Sequence, residues 1–137
     1  MKCLFVKAPF AGWIVDGVKT VEFRTRETYI RGRIGIIESG TGTVIGDVVL
    51  IGSPYQPALG MYDWLLARPR RYAEPVPFEH KQGAIVWIDL EIDPDAQEIA
   101  PELGFFQKHI AERAYNAELA KWLQTAKPAK LKQGIAN

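Results

Sequence analysis

Up to residue 100, the apolar residues of this 137-residue chain come in short β-branched runs, punctuated by glycine and proline. Helical spacing takes over only from Phe105 to about Ala126, where Ala111, Tyr115, Leu119 and Trp122 recur four, four and three residues apart. No long helix stands between the strands, which excludes a doubly wound parallel sheet. The longest apolar runs, Val48–Gly52 and Ala84–Ile88, are about five residues, whereas a membrane helix needs about twenty. The pattern predicts an α+β fold: a small, mostly antiparallel β-barrel with flanking short helices and an added C-terminal helix. Residues 1–98 are expected to form this domain, and 99–137 a helical extension with a basic tail. Lys7 interrupts the first apolar run and no small-residue cleavage site follows, so no secretory signal is expected. The single cysteine, Cys3, allows no internal disulfide and fits a cytoplasmic location.

Leu4-Phe5-Val6 reads as a first strand, stopped by Pro9. Phe10, Trp13 and Ile14 share one face of a short helix over Phe10–Asp16, and Gly17 stands just past its end. Thr20–Arg26 alternates, with Val21 and Phe23 on one side and Glu22 and Arg24 on the other. Gly32–Ser39 and Val44–Gly52 read as adjacent antiparallel strands joined through Gly40-Thr41-Gly42-Thr43. Ser53–Pro57 reads as loop, and Ala58–Leu66 is ambiguous, with a helix as one option. Pro69, Pro75 and Pro77 exclude a regular helix or a central strand over Arg68–Glu79. Ala84–Leu90 is a further strand. Thr125–Asn137 shows no apolar period and is expected to be a frayed tail.

The net charge of +1 conceals segregation. Residues 1–35, 36–64, 65–81, 82–107 and 108–137 carry +4, −3, +2, −6 and +4. Three basic segments converging on one face would attract phosphates; ordinary solvated charge gives the same counts. The densest polar cluster is Gly17–Arg26. With Val21 and Phe23 turned to the core, Thr20, Glu22 and Arg24 would line the opposite face, with Lys19 leading in. Such a row binds an anion and offers a carboxylate for proton transfer or for a base amine. It serves equally as an exposed strand face with cross-strand ion pairs.

The run from Lys7-Ala8-Pro9-Phe10 through Gly17-Val18-Lys19-Thr20-Val21-Glu22-Phe23-Arg24 resembles the opening signature of ASCH domains, in the PUA-like superfamily. That signature is a proline with an aromatic, a short helix, then Gly-x-Lys-Thr-x-Glu-x-Arg. Arg31–Ile37, Ile45–Val49 and Arg70–Pro77 resemble later elements, and the likeness covers about residues 3–92. It implies a PUA-like barrel with a cleft between barrel and helices that takes RNA or nucleotide ligands. Some members are implied to bind single-stranded nucleic acid, some with ribonuclease activity. Another branch hydrolyses N4-acetylcytidine with a lysine, a threonine two places after the Lys-Thr pair and a distant glutamate. Lys19 matches that lysine, Glu22 stands where the threonine would be, and Glu74 or Glu79 is the candidate for the glutamate.

On this reading, Lys19, Arg24 and Arg26 hold phosphate or ribose oxygens, Thr20 adds a hydroxyl, and Glu22 accepts from a base amine. Arg70, Arg71 and Tyr72 form a basic–aromatic patch, and Tyr72 or Trp13 stacks on a base. In the alternative, an amidohydrolase, Lys19 and Glu22 are catalytic: Lys19 steadies the oxyanion and Glu22 activates water. A third possibility is an interaction domain whose C-terminal helix packs on a partner or a second copy, giving a monomer or a homodimer. No metal-ligand pattern and no cofactor motif is found, so neither is expected.

Overall fold

The computed structural model describes the backbone of residues 1–136 and the side chains of residues 1–125. Its elements in chain order are β1 (Lys2–Val6), α1 (Phe10–Val15), β2 (Val21–Arg24), β3 (Gly32–Glu38), β4 (Thr43–Gly52), β5 (Tyr55–Gln56), β6 (Met61–Pro77), β7 (Trp87–Asp89), a 3-10 turn at Pro94–Ala96, and α2 (Phe105–Ala136). The seven strands form one sheet ordered β2-β6-β4-β3-β1-β7, with β5 added to β6. All pairings are antiparallel except β1 with β3. A parallel pair needs a crossover, and here α1 and β2 supply it.

The sheet curls into a half-barrel. Trp64, next to the β2 edge, stacks on Trp87 of the opposite edge strand with ring centroids 5.7 Å apart and an interplanar angle of 17°. One core cluster joins Ala11, Ile14 and Val15 of α1 to Leu4, Ile34, Ile36, Val48, Leu50, Trp64 and Leu66. A second joins Cys3, Ile37, Val44, Tyr72 and Ile88. The central strand β3 feeds both, so its Ile residues point into core on either face. That is why it reads as a continuous apolar run. Burial in the second cluster pushes the Cys3 thiol up to about 11, which makes it a poor nucleophile.

Four expectations are corrected, and one open segment is assigned. Ser53–Pro57 contains β5, and the segment left open as a possible helix begins β6. The prolines do not keep β6 out of the sheet interior, because β6 lies between β2 and β4. The β6–β4 register slips between Ala67 and Arg70 and again between Arg71 and Val76, so Pro69 and Pro75 fall where no regular ladder bond is needed. Arg68 takes a positive φ of 49° at the first slip, and Pro77 ends the strand. The expected strand Ala84–Leu90 shortens to Trp87–Asp89. The expected frayed tail is helical through Ala136; Asn137 and the side chains beyond residue 125 lie outside the described residues.

Gly46 sits on β4 where α1 and β6 press closest. A Cβ there would run into the Arg70 carbonyl oxygen and the Val15 side chain. Backbone cannot yield as a flexible side chain does, so Gly46→Ala is expected to lower stability by about 1–3 kcal/mol. Urea unfolding should show a lower midpoint with an unchanged slope.

Candidate nucleotide-binding site

Residues 16–24 are held by the end of α1. The amides of Val18 and Lys19 both donate to the Trp13 carbonyl, at 2.9 and 3.0 Å. Gly17, at φ 78°, makes the turn leading into them. Lys19 is thereby driven inward, 4% exposed, and Glu22 beside it is 9% exposed. The face assignment of β2 is therefore the reverse of the expected one. Glu22 and Arg24 point into the half-barrel, while Phe23 points away and stacks on Trp122 of α2 at 5.2 Å.

Glu22 lies between two cations. Lys19 Nζ is 3.4 Å from Oε1 and Arg24 Nη2 is 3.0 Å from Oε2. Lys19 Nζ also donates to the Val21 carbonyl at 2.6 Å, and Arg24 Nη2 to the Phe5 carbonyl at 3.0 Å. The Arg24 guanidinium lies over the Trp64 ring, 5.5 Å from its centroid. Lys19 Nζ is ringed by Phe23, Tyr115 and Phe10 at 5.1, 5.5 and 5.8 Å. Burial pulls the Lys19 ammonium below its ordinary value, and the Glu22 carboxylate opposes that pull. Burial and the nearby Glu22 charge push the Tyr115 phenol up.

Two of the expected site residues thus come together with Lys19 in one cluster: Glu22 and Arg24. Arg26 is exposed two residues on, and its carbonyl accepts from the Trp64 indole at 2.9 Å. Thr20 is exposed and outside the cluster. Trp13 is half-buried with its ring against Phe10 and Tyr115, so aromatic neighbours already occupy the surface proposed for stacking.

The Arg70–Tyr72 patch does not form. Tyr72 is 3% exposed and donates to Asp47 Oδ2 at 2.6 Å, so it has no free face for a base. Arg70 clamps the same carboxylate at 2.8 and 3.1 Å, and Arg33 also pairs with it. Arg71 holds Asp16 at 2.6 and 2.9 Å. Arg70 and Arg71 line a separate groove of about 410 Å³ against residues 99–103. Among the described residues, no cluster of three or more His, Cys, Asp or Glu could hold a metal.

The ASCH domain family model matches residues 4–88, more than half of the chain. The chain belongs to the ASCH domain family. A crystal structure of a mutant ZmASCH protein from Zymomonas mobilis is similar to it at 21% identity and a TM-score of 0.50, covering 56% of this chain and 74% of that one. That likeness supports the fold, a curled half-barrel sheet with flanking helices. No curated protein matches the chain. Among the described residues, no helix is long and apolar enough to cross a membrane.

The match ends before α2, so Tyr115 and Trp122 reach the cluster from outside the ASCH segment. Their helical stripe is plain in the sequence, but nothing there signals what it covers. Tyr115→Ala should open the cage around Lys19. A lysine with a lowered pKa is neutral more often than its surface counterparts. Acylation of Lys19 by an N-hydroxysuccinimide ester, followed by peptide mass mapping, should accelerate severalfold in this variant while exposed Lys2 and Lys7 keep their rates. An unchanged Lys19 rate would mean Tyr115 does not control access.

Proposed function

We propose that this ASCH domain binds single-stranded RNA or a modified nucleotide at the Glu22–Arg24 side of the cluster. The observation that carries the reading is a nearly buried carboxylate fixed between two cations on the concave face of a PUA-like sheet, a fold that is often RNA-binding. The Glu22 carboxylate, held between Lys19 and Arg24, is an acceptor for the exocyclic amine of a base such as cytosine. Arg24 spends Nη2 on Glu22 and the Phe5 carbonyl. Its Nη1 and Nε make no hydrogen bond among the described residues and suit a phosphate. Arg26 adds an exposed cation beside it. Lys19 acts mainly through Glu22, since three rings enclose its ammonium. Fluorescence anisotropy with a labelled single-stranded RNA tests the reading. Arg24→Ala should weaken binding about tenfold, the scale of one charge-assisted hydrogen bond. It should also flatten the salt dependence by about 0.7 for each phosphate no longer neutralised. Equal affinity and equal salt slope in the variant would refute the reading.

A second reading rests on the lowered Lys19 ammonium beside Glu22, a pair suited to passing a proton. It is hydrolysis of an N4-acylated cytidine, with water in place of a threonine nucleophile. Thr20 is exposed and outside the Lys19–Glu22–Arg24 cluster. Incubation with N4-acetylcytidine and chromatographic detection of cytidine decides it: release abolished in Lys19→Ala supports hydrolysis, and no release at high enzyme concentration rejects that substrate.

A further inference from the structure

The antiparallel registers place three side chains in one row across the sheet. Arg24 of β2 faces Tyr62 of β6, and Tyr62 faces Tyr55 of β5. Directly opposed residues share a face, so the row runs from the cluster to the outer rim of the concave side. Tyr55 is 55% exposed and meets Tyr62 edge-on, with centroids 5.2 Å apart.

The loop before β3 adds to this rim. Thr28 is pinned to Ser53, its amide donating to Ser53 Oγ at 3.2 Å and its carbonyl accepting from Oγ at 2.9 Å. Ser53 lies two residues before Tyr55, so the loop carries Tyr29, 86% exposed, to the same end of the sheet. Tyr29 donates to Glu27 at 3.1 Å, and that bond with the Glu27 charge raises its phenol above the ordinary value. Arg31 is tied to the Thr28 and Ile30 carbonyls at 2.6 and 2.8 Å, which fixes its position and leaves its charge unneutralised. Among the described residues, neither Arg26 nor Arg31 has a carboxylate within ion-pair distance. Glu27 is the one acid in this loop.

Tyr55 and Tyr29 expose their rings, and Tyr62 is half-buried against the core beneath Tyr55. Rings interleaved with unpaired arginines are what a run of unpaired bases requires: π faces for stacking and cations for the backbone. We propose that Tyr55, Tyr62 and Tyr29, with Arg26 and Arg31, form a stacking platform that receives the nucleotides following the one held at Glu22 and Arg24, so that the ligand is a single-stranded RNA segment and not a lone nucleoside. The inference rests on the function proposed above. Arg24 and Tyr55 are two strand spacings apart, about 10 Å, so a ligand seated at Arg24 meets Tyr55 only through its next nucleotide.

The test compares cytidine monophosphate with a single-stranded RNA of about eight nucleotides. Both are titrated against the full chain and against Tyr55→Ala, Tyr55→Phe and Tyr29→Ala. Tyr55 and Tyr29 are exposed, and matching thermal midpoints would confirm that the variants fold. The expected result is an oligonucleotide affinity reduced about tenfold in Tyr55→Ala and Tyr29→Ala, near-full retention in Tyr55→Phe, and mononucleotide affinity unchanged throughout. Wild-type binding of both ligands, with oligonucleotide affinity undiminished in both alanine variants, would overturn the platform and leave the Glu22–Arg24 site standing. Absence of wild-type binding to either ligand would overturn both.

Discussion

Replacing Asp47 with alanine is expected to cost about 3–5 kcal/mol, the range for removing one partner of a buried charge network. Total stabilities of such domains are about 5–15 kcal/mol, so this is the most damaging single change anticipated. Asp47 is fully buried on β4 and accepts from Arg33, from Nε and Nη2 of Arg70 and from the Tyr72 hydroxyl. These donors tie β3 and the middle of β6 to β4, at the place where the β6 register slips. Without the carboxylate the two arginines, with side chains 24% and 25% exposed, can rehydrate, but the Tyr72 hydroxyl stays buried and unpartnered. Urea unfolding of Asp47→Ala measures the cost, and Asp47→Asn, which keeps one acceptor, should be less destabilised.

The same hub sets an alkaline limit. Burial, and then the bond to Asp47, raises the Tyr72 phenol above its ordinary 10.0. Between the unfolded and folded values the native state holds the proton that the unfolded chain releases. The stabilisation is therefore complete below pH 10 and is lost as pH rises through the folded value. Tyr72→Phe should be less stable than wild type at neutral pH, and the gap should narrow above pH 10.

Glu22→Ala is expected to have the second-largest effect. It strips the buried Lys19 ammonium of its carboxylate and frees Arg24, at a cost approaching about 3 kcal/mol at neutral pH. Lys19, already lowered by burial, is then without the charge that opposed that shift. Its folded value falls further below the ordinary 10.5. Between those values the unfolded chain binds the extra proton, so the stability of the variant should rise with pH in that window. Chemical unfolding across that pH range checks the sign. RNA affinity should fall at least about tenfold, the scale of removing one charge-assisted hydrogen bond.

The sequence made the strands legible where one face had to be buried, and misled where that choice depended on distant partners. The alternation of Val21, Glu22, Phe23 and Arg24 defines two faces without saying which turns inward. A Lys–Glu–Arg set would ordinarily face solvent. Here the Val21 carbonyl, the Trp64 ring and the Phe5 carbonyl provide inward partners, and α2 covers Phe23 from outside. Tyr72 looked available beside two arginines, but β4 supplies Asp47 to Tyr72 and Arg70, and α1 leads into the Asp16 that holds Arg71. The prolines of β6 argued against a central strand by a sound rule, and the register slips satisfy that rule locally. The helical stripe Ala111, Tyr115, Leu119 and Trp122 is half-buried in α2, together with Glu112 and Leu123. Its period was readable, and its target, a lysine about one hundred residues earlier in the chain, was not. The Arg24–Tyr62–Tyr55 row was invisible for the same reason: it exists only through strand pairing.

The most direct measurement is a backbone and indole amide NMR titration of the full chain with a short single-stranded RNA. The largest shifts are expected on β2 around Glu22 and Arg24, on the Trp64 indole, and on Tyr62 and Tyr55. Shifts centred instead on the Arg70–Arg71 groove, or no shifts at all, would contradict the proposed site.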